Sequence, residues 1–370
     1  MNIIDKFLSY PLFIQVASIV IAFSFSILLG TISFIVIKRL VDAALLKRTR
    51  KVKRLVTDEL TQGIMLEDTF KEKSFTKILG RLQRIAKKSK LYTQVIADEL
   101  IYYHKNLTDT TARLLYRLYS RLHLTDKALE NLKASKWNIK AKALREMQEM
   151  PPAKENLSYI TPLLNSTNND LRIEAQAAYL KLAKTHPFMF LDDANFEILD
   201  WHQIILLDVI NNDPDLEIPF FRKWLDSPNP TVITFCIKLI LDFQQFDAIP
   251  ELIKLIEHPN EKVKKDAIAA LGKLYANEAE EMLVNQYEKE ELSIKKYIIE
   301  AIGKIASGKY LQFLREQFLT VDDFSLTKSV GCALANHPTF NKETFFVNEP
   351  LLTPQRVTIF NHCTNTLIRN

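Results

Sequence analysis

Side chains that do chemistry are present in this chain, but not at the spacing that catalysis or metal binding needs. The 370 residues contain no GxxxxGK[ST], GxGxxG, HExxH, GxSxG or CxxC pattern. These absences argue against a phosphate-cradling loop, zinc hydrolysis, a nucleophile elbow and a dithiol site. The seven histidines do not cluster at metal-ligand spacing, and acidic pairs such as Asp192-Asp193 fall where helix N-caps are expected. We therefore predict no enzymatic activity, no cofactor and no metal site.

The cysteines indicate burial rather than reactivity. Cys236, Cys332 and Cys363 all lie on apolar faces of helical patterns, and three thiols cannot build a disulfide framework or a four-ligand zinc site. Cys236 takes a position that small residues hold in neighbouring helices, which predicts a buried thiol. We expect all three cysteines to be unpaired, as in a reducing compartment.

The remaining chemistry is electrostatic. Basic residues recur just after the first apolar residue of successive predicted helices: Lys140, Arg172, Lys264, Lys265, Lys295, Lys296 and Lys328. In a stacked array of helices, equivalent positions line up, so these residues would form a cationic ladder on the inner side of the curve. Such a ladder suits an acidic partner segment, phosphate or lipid headgroups. The alternative is that basic residues only solvate this position and pair with acids one repeat away.

The elements that carry these residues are helices in a repeat. Seven Gly in 370 residues argue against glycine-dependent β-hairpins, and apolar spacing is helical almost everywhere. An apolar residue, here called the anchor, is followed by small or apolar residues 4, 7, 8 and 11 positions later, which share one helical face. The anchors are Phe75, Leu107, Ile139, Leu171, Leu199, Val232, Val263, Ile294 and Leu326.

A second helix is expected before each of the clearer anchors. The predicted first helices are 157–165, 215–225, 248–257, 278–288 and 310–319. Two helices of this length cannot bury their apolar faces alone, whereas stacked neighbours close a continuous core.

Two segments carry a family resemblance. Ile249-Pro250-Glu251-Leu252 opens a first helix, and Asn260, Val263-Lys264, Ala267 and Ala270-Leu271-Gly272 follow in the second. The pattern resembles the HEAT-repeat family, in the short-repeat variety common in bacterial proteins. The resemblance implies an all-α fold, a right-handed α-solenoid of antiparallel helix pairs, and a binding role rather than a specific reaction.

The N-terminal part reads as a membrane anchor. Residues 12–37 form a run of 26 residues without a charge, about 39 Å as a helix, which is enough to cross a hydrocarbon core of about 30 Å. A cleaved signal peptide would have a shorter apolar region and a small-residue cleavage site, but this run ends in Lys38-Arg39. No cysteine follows for a lipoprotein anchor.

The flanking charge predicts orientation. A basic tract follows the apolar run: Lys38, Arg39, Lys47, Arg48, Arg50, Lys51, Lys53 and Arg54. The positive-inside rule then places the C-terminal part in the cytoplasm and the N-terminus outside the inner membrane. Residues 47–90 hold 14 Lys/Arg against 5 Asp/Glu, a net charge that would attract anionic lipid headgroups. The alternatives are a topology signal alone, or nucleic-acid binding, which the lack of interleaved aromatic residues disfavours.

These observations predict a domain order and a function. The segments are an external N-terminus (1–11), a transmembrane helix (12–37), a basic juxtamembrane region (38–70), divergent repeats (71–150), the solenoid (151–340) and a C-terminal capping helix (341–370). We expect a membrane-anchored cytoplasmic scaffold without catalysis. Its expected partner is a protein, for example a membrane enzyme complex that makes envelope polysaccharide. The alternatives are a lyase-like or nucleic-acid-acting solenoid enzyme, or a lipid-binding structural protein.

Overall fold

The computed structural model describes residues 11–64, 72–107, 109–152, 157–341, 343, 345 and 352–364, and the elements in these ranges are helices and turns. The chain divides into two compact units. The first contains residues 1–134 and 145–153, and the second contains residues 135–144 and 154–370. The all-α prediction is confirmed for the described ranges.

The first unit is built on one very long helix. Its helices are α1 (Leu12–Ile64), α2 (Glu72–Ala86), α3 (Lys90–Asn106), α4 (Asp109–Arg121) and α5 (Leu124–Leu132), and α6 (Trp137–Glu149) begins in the second unit and ends in the first. The 53 residues of α1 run without a break from the apolar segment through the basic tract. The apolar segment and the folded unit are therefore parts of the same helix.

A hydrophobic core holds the C-terminal part of α1 in this unit. Val52, Val56 and Leu60 recur every four residues, so they lie on one face of α1, and all three are buried. They share a core with Phe75, Ile78 and Leu82 of α2, Ile96 and Leu100 of α3, and Leu115, Leu118 and Tyr119 of α4. Burial of this face fixes α1 to the unit, because each buried aliphatic side chain contributes about 1.5–3 kcal/mol.

The second unit carries the repeats. Its α-helices are α7 (Asn169–Leu182), α8 (Asp200–Asn211), α9 (Pro230–Asp242), α10 (Ile249–Lys254), α11 (Glu261–Lys273), α12 (Glu280–Tyr287), α13 (Leu292–Ile305), α14 (Leu311–Thr320), α15 (Phe324–Asn336) and α16 (Pro354–Thr364). The helices α9, α11, α13 and α15 stack side by side, and α16 packs on α15.

The first helices of several repeats are shorter than the sequence predicts. The stretch 157–165 holds two three-residue 3-10 helices, and 215–225 holds one over Phe221–Trp224. Pro162 and Pro219 lie within these stretches and each removes a backbone donor, which interrupts an α-helix. Pro250 is tolerated in α10 because it sits in the first turn. The prediction of full helices at 157–165 and 215–225 is therefore wrong.

Four of the second helices share one starting rule. Asn168, Asn229, Asn260 and Asp323 are the N-caps of α7, α9, α11 and α15, and each side chain accepts a hydrogen bond from a backbone N–H two or three residues on. The buried anchor stands three residues after each cap, as at Val232 and Val263. The spacing of three residues from N-cap to buried anchor is therefore the rule, and it also holds from Glu291 to Ile294 in α13, where the cap makes no side-chain hydrogen bond.

This rule corrects one repeat of the sequence analysis. The N-cap of α8 is Leu199, whose side chain is 51% exposed, so it is not the anchor. The residue three positions later is His202, which is 1% exposed. With His202 as anchor, the distances to Leu171 and Val232 become 31 and 30 residues instead of 28 and 33. The prediction missed this register because it required an apolar anchor. Among the weaker anchors, Ile139 is exposed and Leu107 is the C-cap of α3.

Two glycines allow the second helices to pack closely. A Cβ atom at Gly272 of α11 would lie 2.7 Å from Ala301 Cα, and one at Gly303 of α13 would lie 3.0 Å from Ala333 Cα. Both glycines stand nine residues after their anchors, and both alanines stand seven residues after theirs. The stacking of α11, α13 and α15 thus depends on small residues at matched positions.

Candidate partner-binding groove

A groove of about 540 Å³ lies between α13 and α15, and we call it the basic groove. It is lined by Lys296, Glu300, Gly303, Lys304, Phe324, Ser325, Lys328, Ser329, Cys332, Ala333 and Asn336. Gly303 and Ala333, where the two helices come into close contact, also line the groove. The groove therefore lies on the open side of this glycine–alanine contact.

The electrostatics of the basic groove are cationic. Lys296, Lys304 and Lys328 line it against one carboxylate, that of Glu300. None of the three lysines makes an ion pair with another described residue, and Lys304 and Lys328 are exposed. Phe324 stands at the start of α15 with 60% of its surface exposed. The groove therefore combines uncompensated positive charge with one exposed aromatic ring.

The predicted ladder divides into two sets of residues. Lys296 and Lys328 stand two residues after their anchors and face the basic groove. Lys264 and Lys295 stand one residue after theirs, a rotation of about 100° around the helix. Lys264 Nζ lies 2.5 Å from Glu290 Oε1 with 16% of its side chain exposed, and Lys295 Nζ lies 3.5 Å from Glu288 Oε2. Pairing with acids was the alternative to a ladder, and it describes this second set.

The Glu290 carboxylate neutralises the charge of Lys264. Burial raises the pKa of Glu290, but hydrogen bonds from Lys264 and Gln286 outweigh that effect and lower the pKa below its usual value. The pair is thus an internal structural contact rather than a free cation.

Arg172 also differs from the ladder prediction because it is buried. Its Nη1 and Nη2 atoms donate to Ser166 O and Asn169 Oδ1, both at 2.7 Å, and its guanidinium lies 4.5 Å from the centre of the Phe196 ring. Burial lowers its pKa. Lys265 pairs with Glu261 at 2.5 Å, and Lys140 is a half-buried residue of α6 outside the basic groove.

The predicted ladder lacks Lys304 of the basic groove and three lysines of a second groove, Lys238, Lys262 and Lys273. The second groove, of about 250 Å³, lies between α8, α9 and α11, with Asp200 and Asp266 opposite its lysines. Lys262 Nζ lies 3.6 Å from Asp200 Oδ1, and burial raises the pKa of Asp266. Lys238, Lys273 and Lys304 stand 6 or 10 residues after their anchors. Positions 2, 6 and 10 share a helical face, so this signal was available in the sequence.

The basic tract of α1 also has two faces. Lys53 lies beside the docked face, and its Nζ atom is 2.8 Å from Oε1 of the buried Glu99. Glu99 is the main cause that raises the pKa of Lys53. Lys47, Arg50, Lys51 and Arg54 point away from Val52, Val56 and Leu60, and they are exposed. No described residue pairs with these four, nor with the exposed Lys38, Arg39 and Arg48.

The apolar part of α1 has a surface that is unusual for a folded domain. Leu12–Thr61 is long and apolar enough to cross a membrane, and the apolar window within it is not buried. Large side chains such as Phe23, Ile27 and Phe34 are at least half exposed. The helix is a candidate membrane anchor by length and composition.

The cysteines divide into one buried thiol and one disulfide. Cys236 is fully buried, as predicted, and burial raises its thiol pKa. Cys332 of α15 and Cys363 of α16 form a disulfide with their Cα atoms 4.9 Å apart. The prediction of three unpaired cysteines is therefore wrong, because the packing of α16 on α15 joins residues that no periodicity connects. Among the described residues, no three His, Cys, Asp or Glu side chains form a group that could hold a metal ion.

The three tryptophans have different environments. Trp224 is buried, and its Nε1 atom donates to Asp192 Oδ1 at 2.9 Å. Trp137 and Trp201 are exposed, and Ile204 near Trp201 is also exposed. Trp224 is thus a core residue rather than a binding residue.

Comparison with known proteins identifies the repeats. The family model of HEAT repeats matches residues 218–291 and 249–335. No curated protein matches the chain.

Solved structures of repeat proteins are also similar to the chain. A designed armadillo repeat protein is 18% identical over 57% of this chain and 98% of its own, with a TM-score of 0.30. YibA of Escherichia coli is 14% identical over 71% and 97%, with a TM-score of 0.37. Kap121p is 13% identical over 82% and 35%, with a TM-score of 0.35. Residues 218–335 match the HEAT-repeat family model, and the described part of the chain is all-α.

Proposed function

We propose that this chain is a membrane-tethered scaffold that holds an acidic segment of a protein partner in the basic groove and performs no chemistry of its own. The observation that carries the proposal is the set of three lysines, Lys296, Lys304 and Lys328, without ion pairs around one groove. A folded protein usually compensates clustered charge with nearby opposite charge. Here one carboxylate, Glu300, faces three cations, so an acidic ligand would complete the balance.

The partner chemistry follows from the lining. Carboxylates of an extended segment would lie near the lysines, and an apolar side chain of the same segment would pack on Phe324. Exposed aromatic residues often carry a large share of binding energy. Because Lys304 and Lys328 are exposed, their attraction is screened by salt with a Debye length of about 8 Å at physiological ionic strength. Binding should therefore weaken as salt rises.

The tether is the second part of the proposal. Residues 12–37 would cross the inner membrane with the N-terminus outside and the repeats in the cytoplasm, since the basic tract follows the apolar run. The Cys332–Cys363 disulfide removes the support that unpaired cysteines lent to a reducing compartment, so orientation rests on the flanking charge alone. Tethering confines the groove near the membrane and raises its effective concentration for membrane proteins. A membrane enzyme complex, for example one that makes envelope polysaccharide, is the proposed client.

Charge reversal in the basic groove tests the proposal. The variant Lys296→Glu, Lys304→Glu, Lys328→Glu would be compared with wild type as full-length protein in lipid nanodiscs, with a fluorescent decaglutamate peptide as the probe. We expect the variant to bind the peptide at least tenfold more weakly, because three attractive charges become repulsive. A tenfold change corresponds to a loss of about 1.4 kcal/mol in binding free energy. We also expect the affinity of wild type to fall with salt.

A matched control carries three reversals outside the basic groove. Lys181, Lys184 and Lys289 are exposed and make no ion pair with a described residue, so Lys181→Glu, Lys184→Glu, Lys289→Glu changes net charge by the same amount. The affinity of this control for the peptide should be only slightly lower than that of wild type. Equal losses in both variants would show that the peptide responds to net charge, and the proposed site would be wrong.

A further inference from the structure

The Cys332–Cys363 disulfide stands at the wall of the basic groove. Cys332 lines the groove and is partly exposed, whereas Cys363 lies behind it with 5% of its surface exposed. The two sulfur atoms of one bond thus differ in access from solvent. The groove therefore offers a small thiol the Cys332 side of the bond.

We infer that Cys332 is a thiol-modification site, at which a small anionic thiol docks in the basic groove and exchanges with the Cys332–Cys363 disulfide. The exchange itself uses only the groove and the disulfide. Its effect on partner binding rests on the proposed function above, because an anionic adduct on Cys332 would occupy the same lysines as the acidic segment.

The exchange balances with thiols alone. The incoming thiolate attacks Cys332 Sγ, a new S–S bond forms there, and the bond to Cys363 breaks as Cys363 leaves with the electron pair. The Cys363 thiolate takes a proton from solvent. A second thiol then attacks the mixed disulfide, which releases Cys332 as a thiolate and the small molecule as its own disulfide. The protein gains two electrons, and two small thiols are oxidised.

The charges of the groove favour an anionic reagent. Lys328 lies one helical turn before Cys332, and Lys296 and Lys304 line the same groove from α13. Three cations raise the local concentration of an anionic thiol and also favour the thiolate form of Cys332 once it is released. The same three cations repel a cationic thiol and lower its local concentration.

The surroundings of Cys363 suit its role as the leaving group. Cys363 Sγ lies 3.5 Å from the carbonyl oxygen of Lys328, so the reduced thiol has a hydrogen-bond acceptor already in place. Arg356 of α16 donates to Phe318 O and Val321 O, both at 2.8 Å, and Phe360 is buried. These contacts keep α16 on the repeat after the disulfide breaks. Reduction therefore changes the wall of the groove without releasing the helix.

Rates of reduction by charged thiols test the inference. Full-length protein in nanodiscs would be treated with 2-mercaptoethanesulfonate, which is anionic, or cysteamine, which is cationic, at equal thiolate concentration. Free thiols would be counted by alkylation in denaturant and mass measurement. We expect about tenfold faster reduction by the anionic thiol. The Lys296→Glu, Lys304→Glu, Lys328→Glu variant should lose or reverse that preference, and the Lys181→Glu, Lys184→Glu, Lys289→Glu control should keep it.

Single-cysteine variants test which sulfur is attacked. An anionic aromatic disulfide reagent should label Cys363→Ser rapidly, because Cys332 then faces the groove alone. It should label Cys332→Ser slowly, because Cys363 stays behind α15. Circular dichroism of both variants checks that α16 and the repeats remain folded.

Several results would overturn the inference. These are equal rates with the two thiols, equal labelling of the two variants, or three free thiols in protein treated with an oxidant. Decaglutamate binding is measured separately on Cys332→Ser. If that binding depends on the three lysines while the thiol preference is absent, the inference fails and the proposed function stands. If the thiol preference is present but peptide binding does not depend on the three lysines, the inference stands and the proposed function fails.

Discussion

Single residues decide the register of a repeat in this molecule. His202 occupies an anchor position that Leu171, Val232, Val263, Ile294 and Leu326 hold in the neighbouring repeats. Its Nε2 atom is buried without a hydrogen-bond partner in the described residues. Burial, together with the charge of Arg172, lowers its pKa from 6.5 to about 4. An imidazole in this place costs stability that an aliphatic side chain would not.

Replacing this histidine should stabilise the second unit. We expect His202→Leu to raise the free energy of unfolding by about 1–3 kcal/mol, the usual cost of a buried unsatisfied polar group. Urea denaturation at pH 7.5 would measure it, with the exposed His362→Leu as the control. Equal or lower stability of His202→Leu would contradict the account.

The same residue predicts a dependence on pH. Between pH 6.5 and about 4 the unfolded state binds a proton that the folded state does not, so the stability of wild type falls as pH falls through this window. His202→Leu should lack this component, on the order of 3 kcal/mol at its full extent. Parallel pH profiles for wild type and variant would show that His202 does not titrate as described.

At the scale of elements, α1 joins two environments in one continuous helix. One of its faces packs into a core through Val52, Val56 and Leu60, and the opposite face carries Lys47, Arg50, Lys51 and Arg54 without ion pairs among described residues. The unit therefore cannot turn freely about a flexible linker at this point. If residues 12–37 lie in a bilayer, the four cations lie on the same helix, about 15–25 Å beyond the apolar run along its axis.

Lipid competition tests the cationic face of α1. We expect wild type in mild detergent to retain phosphatidylglycerol over phosphatidylcholine, as counted by native mass spectrometry. Reversal of Lys47, Arg50, Lys51 and Arg54 to Glu should reduce this preference at least tenfold, since each basic residue near a membrane contributes about 1 kcal/mol. The matched control reverses the exposed Lys77, Lys87, Lys88 and Lys90. A similar loss in both variants would indicate a general charge effect and would contradict the proposed lipid contact.

The extent of correct prediction also differs between elements. Anchor spacing predicted α9, α11, α13 and α15, because a regular face of small and apolar residues specifies both helix and packing. It did not predict the 3-10 turns near Pro162 and Pro219, where proline competes with the helical pattern. The ladder was predicted from basic residues one or two positions after each anchor, so it joined Lys264 and Lys296, whose side chains lie about 100° apart around their helices. Whether a lysine is free of an ion pair depends on acids such as Glu290. A local sequence pattern does not predict such contacts between distant elements.

At the scale of the whole molecule, two features have to work together for the proposed scaffold. One is a helix long and apolar enough to cross a membrane. The other is a unit whose residues 218–335 match HEAT repeats and which carries an uncompensated basic groove. The disulfide adds a third feature at the C-terminal end of the repeats. A scaffold of this kind predicts that partner contact occurs at the groove while the protein is in its membrane.

Photo-crosslinking from the groove in native membranes tests this central claim most directly. Benzoylphenylalanine would replace Phe324 in the basic groove or, as a control, Tyr275, which is similarly exposed and does not line that groove. The account predicts a crosslink to one membrane-associated protein from position 324, its absence from position 275, and its loss when Lys296, Lys304 and Lys328 are reversed to Glu. A crosslink that persists after charge reversal, or one that is equally strong from position 275, would contradict the account.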